Sequence, residues 1–437
     1  MIKRQMAEWL KMMAREYAVV SIMGPRQSGK TTLAKMLFPD YGYVNLEDPD
    51  LRRAAEADGA DFLAKHPAPL IIDEVQRVPE LLSRIQVKVD ENPTRKAAYI
   101  LTGSHQPALR EGISQSLAGR VAIATLMPLS IGEVAASCPL PAREELVFKG
   151  FMPRIYGEGA TPGFLYSNYL STYVERDVNA ILALKDRRQF ETFLRLVAGR
   201  VGQLVNYESI ASEVGVSAAT VKAWLSVLEA SYITFTLPCY YRNFGKRFVK
   251  APKVYFTDVG LCCHLLGIRD AQQVDRDPAF GGLFENMVVA DILKTRLNRG
   301  LEPDMYFVRD YKGFEVDLLV ENGRKVDLYE IKSSVSFHES FADNVSRLAS
   351  IMGNVDRKTV VYSGQPASAQ GVEFVNYAHV GQAFLMHKRR KKAINDNFHD
   401  CPPPAPQSRP LHRIGERGWL PKSGRQPDSI QRPTAAK

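Results

Sequence analysis

Eight consecutive residues, Gly24-Pro25-Arg26-Gln27-Ser28-Gly29-Lys30-Thr31, have the types and spacing that hold a phosphate chain. Successive backbone N–H groups of such a loop wrap a β-phosphate, and glycines permit the turn. The helix that follows, here opening with Thr31 and Thr32, points its positive end at the anion. Lys30 reaches β- and γ-oxygens, and the Thr31 hydroxyl is a ligand for Mg²⁺. A second element, Leu70-Ile71-Ile72-Asp73-Glu74, is an apolar run ending in two acids. With the loop upstream, Asp73 belongs in the Mg²⁺ shell and Glu74 orients or deprotonates an attacking water. By itself the acidic pair also reads as a solvated strand end. Thr102 and Ser104, in Leu101-Thr102-Gly103-Ser104, sense a γ-phosphate, position the water, or serve the turn alone. Arg120 is a candidate for stabilising transition-state charge, in cis or from a neighbouring subunit, or else a surface arginine.

These residues need strands and helices that bring them to one edge. Residues 1–17 read as an amphipathic helix. Short apolar runs at 18–24, 43–48, 69–74, 97–104 and 120–129 read as strands with helical patterns between them. Alternating strands and helices predict an α/β domain with a parallel sheet over 1–135. Residues 136–252 turn helical. Within them, 207–233 reads as helix, turn at Gly215, N-cap at Ser217 and second helix, a helix-turn-helix pattern. A basic, aromatic segment follows with Tyr240, Tyr241, Arg242, Phe244, Lys246, Arg247, Phe248 and Lys250, then the strand run KVYFTD; together they resemble a wing. The second helix carries a single basic residue, Lys222, so the wing is the better equipped for nucleic acid.

A third α/β unit spans 253–386. Asn322-Gly323 between two strand runs predicts a two-residue hairpin, pairing 321 with 324. That register sets Glu330 opposite 315 and Asp317 opposite 328. Glu315, Asp317, Glu330 and Lys332 then share one sheet face. Two carboxylates and a lysine converging in this way suit metal-assisted phosphodiester cleavage, with Asp317 and Glu330 on Mg²⁺ and Lys332 steering the water. A charged solvent face with Lys332 paired to an acid fits the same spacing.

The chain has 437 residues and a net charge of +9. Residues 388–437 account for +8 of that and hold 8 of the 26 prolines. High proline and excess charge predict a disordered tail over 387–437. Its Lys388–Lys392 run is a candidate polyanion contact or a solvated end. Five cysteines without C-x-x-C spacing exclude a disulfide scaffold and argue against a zinc site. No stretch approaches 18 consecutive apolar residues, so no membrane span is expected, and the N-terminus lacks an apolar signal region. These features predict a cytoplasmic location.

GPRQSGKTTLAKMLF, YVNLEDPDLR, LIIDEVQRVPELL, YILTGSHQ and SLAGRVAIATLMPLSIGE together resemble the AAA-type prokaryotic P-loop ATPases that carry a C-terminal domain of unassigned function. VSAATVKAWLSVLEASYITFTLPCYYRN, APKVYFTDVGL, FEN, FEVDLLV and EIKSS resemble that C-terminal part. The resemblance covers residues 1–386. It implies an ATP-binding core with Mg²⁺, a winged-helix segment and a restriction-endonuclease-like module. It also implies that Glu285 matches the helical acid of some such nucleases. From the residues themselves, DNA is one candidate partner through wing, terminal module and tail, docking within the chain is the alternative for the wing, and a homo-oligomer is a candidate assembly.

Overall fold

The computed structural model describes residues 2–104, 112–113, 115–173, 187–240 and 249–381. Five strands form the first sheet: β1 (Val19–Met23), β2 (Gly42–Asn45), β3 (Leu70–Asp73), β4 (Tyr99–Gly103) and β5 (Val121–Thr125), in the order β2-β3-β4-β1-β5. All four pairings are parallel. Every residue of the inner strands β1, β3 and β4 is buried, because helices cover both faces. Side chains alternate accordingly. Val20 and Ile22 join Met6, Leu10 and Leu33 on one face, while Val19 and Met23 join Leu82, Ile85 and Leu101 on the other.

The predicted helix-turn-helix is present. Helix Tyr207–Val214 ends at Gly215, whose φ of +79° is the left-handed conformation a glycine tolerates. The Ser217 hydroxyl then accepts the Thr220 N–H at 3.1 Å and starts helix Ala218–Ala230. Behind it, β6 (Thr234–Leu237) and β7 (Lys253–Phe256) form an antiparallel ribbon. The wing residues 241–248 and the tail 388–437 lie outside the described residues.

The last sheet is mixed. Its order is β12-β13-β11-β10-β9-β8, built from β8 (Met305–Arg309), β9 (Glu315–Asn322), β10 (Lys325–Ile331), β11 (Val355–Tyr362), β12 (Ala367–Ala369) and β13 (Val372–Asn376). The expected hairpin register is corrected here. Asn322 pairs with Lys325, so the two-residue loop is Gly323-Arg324, with Gly323 at φ +67°. Asn322 stays in its strand because its amide donates to Asp327 at 2.7 Å and accepts from Arg296 at 3.3 Å. The shift is even, so the side-chain faces survive. Glu330, next after the Tyr329–Leu318 pair, now stands beside Asp317.

One hydrophobic core runs from residue 129 to residue 380. It includes Leu146, Phe190, Trp224, Phe256, Phe284, Leu318, Tyr329 and Val361, so the helical region and one side of the last sheet are buried together. Among the described residues no helix is long and apolar enough to cross a membrane.

A chain of buried polar contacts joins this core to the first sheet. Arg4 binds Glu133 at 3.0 Å and donates to the carbonyls of Ser28 at 2.6 Å and Met127 at 2.7 Å. Glu133 also accepts the N–H groups of Gln5 and Ser130, closing a capping box on helix Ile131–Ala135. Asp291, from helix Phe280–Leu297, accepts the Ile131 N–H at 2.6 Å, and Lys294 donates to the Leu129 carbonyl at 3.1 Å. Burial pushes the Asp291 carboxyl up to about 6.

Two stability predictions follow from these contacts. Glu133→Ala leaves Arg4 charged and buried, and should cost about 3–5 kcal/mol in urea unfolding. A carboxyl raised by folding favours the native state below its unfolded pKa and loses that contribution as pH rises through its folded value. Asp291 should therefore remove roughly 3 kcal/mol of stability between pH ~4 and ~6, a slope that Asp291→Asn flattens.

Candidate functional site

The phosphate loop follows directly from β1. Gly24 has φ +147°, and a Cβ there would lie 2.1 Å from the Leu126 carbonyl oxygen, so no larger residue fits. Gln27 at φ +60° and Gly29 at φ +91° complete the turn into helix Lys30–Leu37. That helix has no side-chain N-cap, which leaves its first N–H groups for an anion. Lys30 donates to the carbonyls of Gly24 at 3.0 Å and Pro25 at 2.8 Å, folding back over the loop. The Ser28 hydroxyl is buried in the loop and has no hydrogen-bond partner among the described residues.

β3 ends beside this loop and delivers Asp73. Its carboxylate accepts the Thr31 hydroxyl at 3.0 Å, the Tyr43 hydroxyl at 2.8 Å and the Thr102 hydroxyl. Burial, then the hydrogen bond to Asp73, pushes the Tyr43 phenol up. A hydroxyl and a carboxylate meeting at the foot of a phosphate loop are hard oxygen donors, and they fit Mg²⁺. Glu74 follows in the left-handed region at φ +56°. Its carboxylate accepts from the Gln76 amide and lies 3.4 Å from the Ser104 hydroxyl, and Gln76 also donates to Ser104 at 2.9 Å. Thr102 and Ser104 thus part company: one serves Asp73, the other Glu74.

The loop opens into a cavity of about 700 Å³ with two walls. Arg26, Gln27, Lys30, Thr31, Thr32 and Glu74 line one, and Pro153, Arg154, Tyr169 and Thr172 of the helical region line the other. The Arg154 side chain is 52% exposed and pairs with Glu158 at 3.0 Å. Tyr43, Gln76 and Arg154 were not marked by sequence spacing. Gln76 does stand two residues after Glu74, and Tyr43 opens the strand run 43–48, which was a usable signal.

Arg120 is corrected as a residue acting on its own chain's nucleotide. It precedes β5, and β5 runs parallel to β1, so it sits at the sheet end opposite the loop. Five residues separate the two ends, about 15 Å. Its guanidinium binds Asp90 through two contacts, 2.6 and 2.9 Å.

The last sheet pairs the predicted acids with two lysines, the predicted Lys332 and the unpredicted Lys253. Lys253, at the start of β7, lies 2.5 Å from Glu315 and 3.0 Å from Glu285, which also accepts the Tyr255 hydroxyl at 2.6 Å. Lys332 lies 2.7 Å from Glu330 and 3.8 Å from Asp317. Burial, and then the charge of Asp317, raise the carboxyls of both Glu285 and Glu330. The expectation of a metal on Glu285, Asp317 and Glu330 meets a different arrangement. Among the described residues no three His, Cys, Asp or Glu side chains are disposed to hold a metal ion. Each of these glutamates faces an ammonium, so the residues do not fit a metal and no cleavage step is derived through one.

Comparison with known proteins gives family matches over three segments of the chain. Residues 16–135 match the AAA domain family model. Residues 141–272 and 280–379 match two domains of unknown function, DUF8612 and DUF4143. An uncharacterized protein of Mycobacterium tuberculosis is 29% identical over 371 residues, covering 83% of this chain and 80% of its own. Its Mycobacterium bovis counterpart matches equally. Among solved structures, the Walker-type ATPase of Pyrococcus abyssi shares 15% identity at a TM-score of 0.41, over 60% of this chain and 94% of that one. AMPPCP-bound DnaA of Aquifex aeolicus shares 17% identity at 0.23, over 51% and 85%. The fold assignment rests on strand order and the family match, not on these two likenesses.

Gln76→Leu keeps the volume and removes the donor shared by Ser104 and Glu74. ATP turnover should fall by about 10- to 100-fold while nucleotide affinity, read by equilibrium titration, changes little.

Proposed function

We propose that this chain, an AAA-type P-loop protein with a C-terminal domain of unknown function, is an ATP-hydrolysing switch. The observation that carries the reading is the convergence of Thr31 and Asp73 at the loop, with Glu74 one residue beyond. Lys30 and the loop N–H groups bind the phosphates. Thr31 and Asp73 would hold Mg²⁺, which when bound neutralises phosphate charge. Glu74 takes a proton from water as its oxygen attacks the γ-phosphorus. The bond from that phosphorus to the β–γ bridging oxygen breaks, and ADP leaves. Ser104 and Gln76 hold the Glu74 carboxylate for this step, and Thr102 holds Asp73.

The switch reading is supported by the cavity's second wall. A nucleotide filling the cavity would touch both the loop and Pro153, Arg154, Tyr169 and Thr172. Arg4, bound to Ser28 and Glu133, gives the loop a second grip on the same region. We read the chain as an ATPase domain over 1–135, a helical and winged-helix region over 136–252, a restriction-endonuclease-like module over 253–386 and a basic tail. The lysine pairing of the carboxylates supports a terminal module that binds DNA or protein rather than cleaving DNA. A cytoplasmic location and a homo-oligomer complete the proposal, Arg120 being available there to a neighbouring subunit.

Lys30→Ala should abolish ATP binding in a fluorescent-nucleotide titration. Glu74→Gln should keep binding and slow phosphate release by about 10²- to 10⁴-fold. Equal turnover in wild type and both variants would refute the reading.

A further inference from the structure

Four carboxylates and three cationic side chains meet where β7, helix Phe280–Leu297, β9 and β10 come together. The centre of the group is Lys253. Its side chain is only 2% exposed, and its ammonium touches Glu285 from the helix and Glu315 from β9. Arg309 takes the other Glu315 oxygen at 2.9 Å. On the same face Lys332 binds Glu330, and Asp317 accepts the Ile331 N–H at 2.8 Å.

Lys253 has little freedom to leave. Its backbone pairs with Leu237 on one side and bridges Leu204 on the other. Val254, Tyr255 and Phe256 behind it are core residues. The Tyr255 hydroxyl fixes Glu285 in place, so the acid that faces the ammonium is held as well. A divalent ion on these oxygens would sit against a buried ammonium, and like charges at such range repel strongly where water is excluded.

We propose that Lys253 is the resident cation of this carboxylate face. Its ammonium stands where a divalent metal would have to be, and it fastens the β6–β7 ribbon to helix Phe280–Leu297 and β9. The face is then an internal ion-pair lock, complete without metal. This inference is independent of ATP hydrolysis.

The test uses nucleotide-free full-length protein, Mn²⁺ as the probe, electron paramagnetic resonance to count bound ion, and thermal unfolding. Wild type and Asp317→Asn should bind Mn²⁺ alike, within about twofold, because neither has a metal site on this face. Lys253→Met should melt lower than wild type. It should bind Mn²⁺ at least about tenfold more tightly, the ion replacing the lost positive charge. Mn²⁺ should raise its melting temperature, and adding Asp317→Asn should remove that rescue. A wild-type Mn²⁺ site lost in Asp317→Asn would overturn the proposal, as would Lys253→Met melting like wild type. If Lys253→Met fails to fold, the comparison of wild type with Asp317→Asn decides: equal binding supports the lock, and a lost site refutes it.

Discussion

Arg4 sits where three parts of the chain meet, and its charge is satisfied only if all three stay in place. A buried guanidinium needs acceptors on several sides. It finds the Glu133 carboxylate, the carbonyl of Ser28 in the phosphate loop and the carbonyl of Met127 after β5. The loop geometry, the exit from the first sheet and the first helix of the following region are therefore one electrostatic arrangement. Ser28 cannot move without disturbing Arg4, and Arg4 cannot move without unpairing the Glu133 carboxylate that caps helix Ile131–Ala135.

What could be read from sequence was what is local. The phosphate loop is eight contiguous residues, and each strand ending beside it announces itself as an apolar run followed by polar residues. Ser217 and Gly215 are likewise local cap signals. Tyr43, Gln76 and Arg154 act through contacts made only after folding. Arg120 as a residue for its own chain's nucleotide is an instructive error. A residue that precedes a parallel strand lies at the opposite end from a residue that follows one, and that rule was already available in the strand assignment. The hairpin went differently because tertiary contacts outweighed turn preference. Asn-Gly favours the loop centre, but Asp327 and Arg296 hold Asn322 inside β9. Lys253 was hidden because a lysine opening a strand normally points to water. Nothing near it in sequence announces Glu285, thirty-two residues on, or Glu315.

The two charged centres solve the same problem in contrasting ways. Asp73 is surrounded by neutral hydroxyls, which stabilise its charge and leave it able to take a cation. The acids of the last sheet are matched by ammonium and guanidinium groups from neighbouring strands. A carboxylate among hydroxyls is a site in waiting. A carboxylate against a fixed lysine is already finished, and its energy goes into holding strands and helix together.

The long core has a mechanical meaning. Side chains from the helical region and from the last sheet interleave from residue 129 to residue 380, so no cut within that span separates two self-sufficient pieces. A core of that length makes the span a single packed block. The connection to the first sheet is narrow. Between β5 and helix Ile131–Ala135 the backbone is gripped at Met127 by Arg4, at Leu129 by Lys294 and at Ile131 by Asp291. The phosphate loop and the block of some 250 residues beyond it are thus tied together through a short stretch of chain held on three sides.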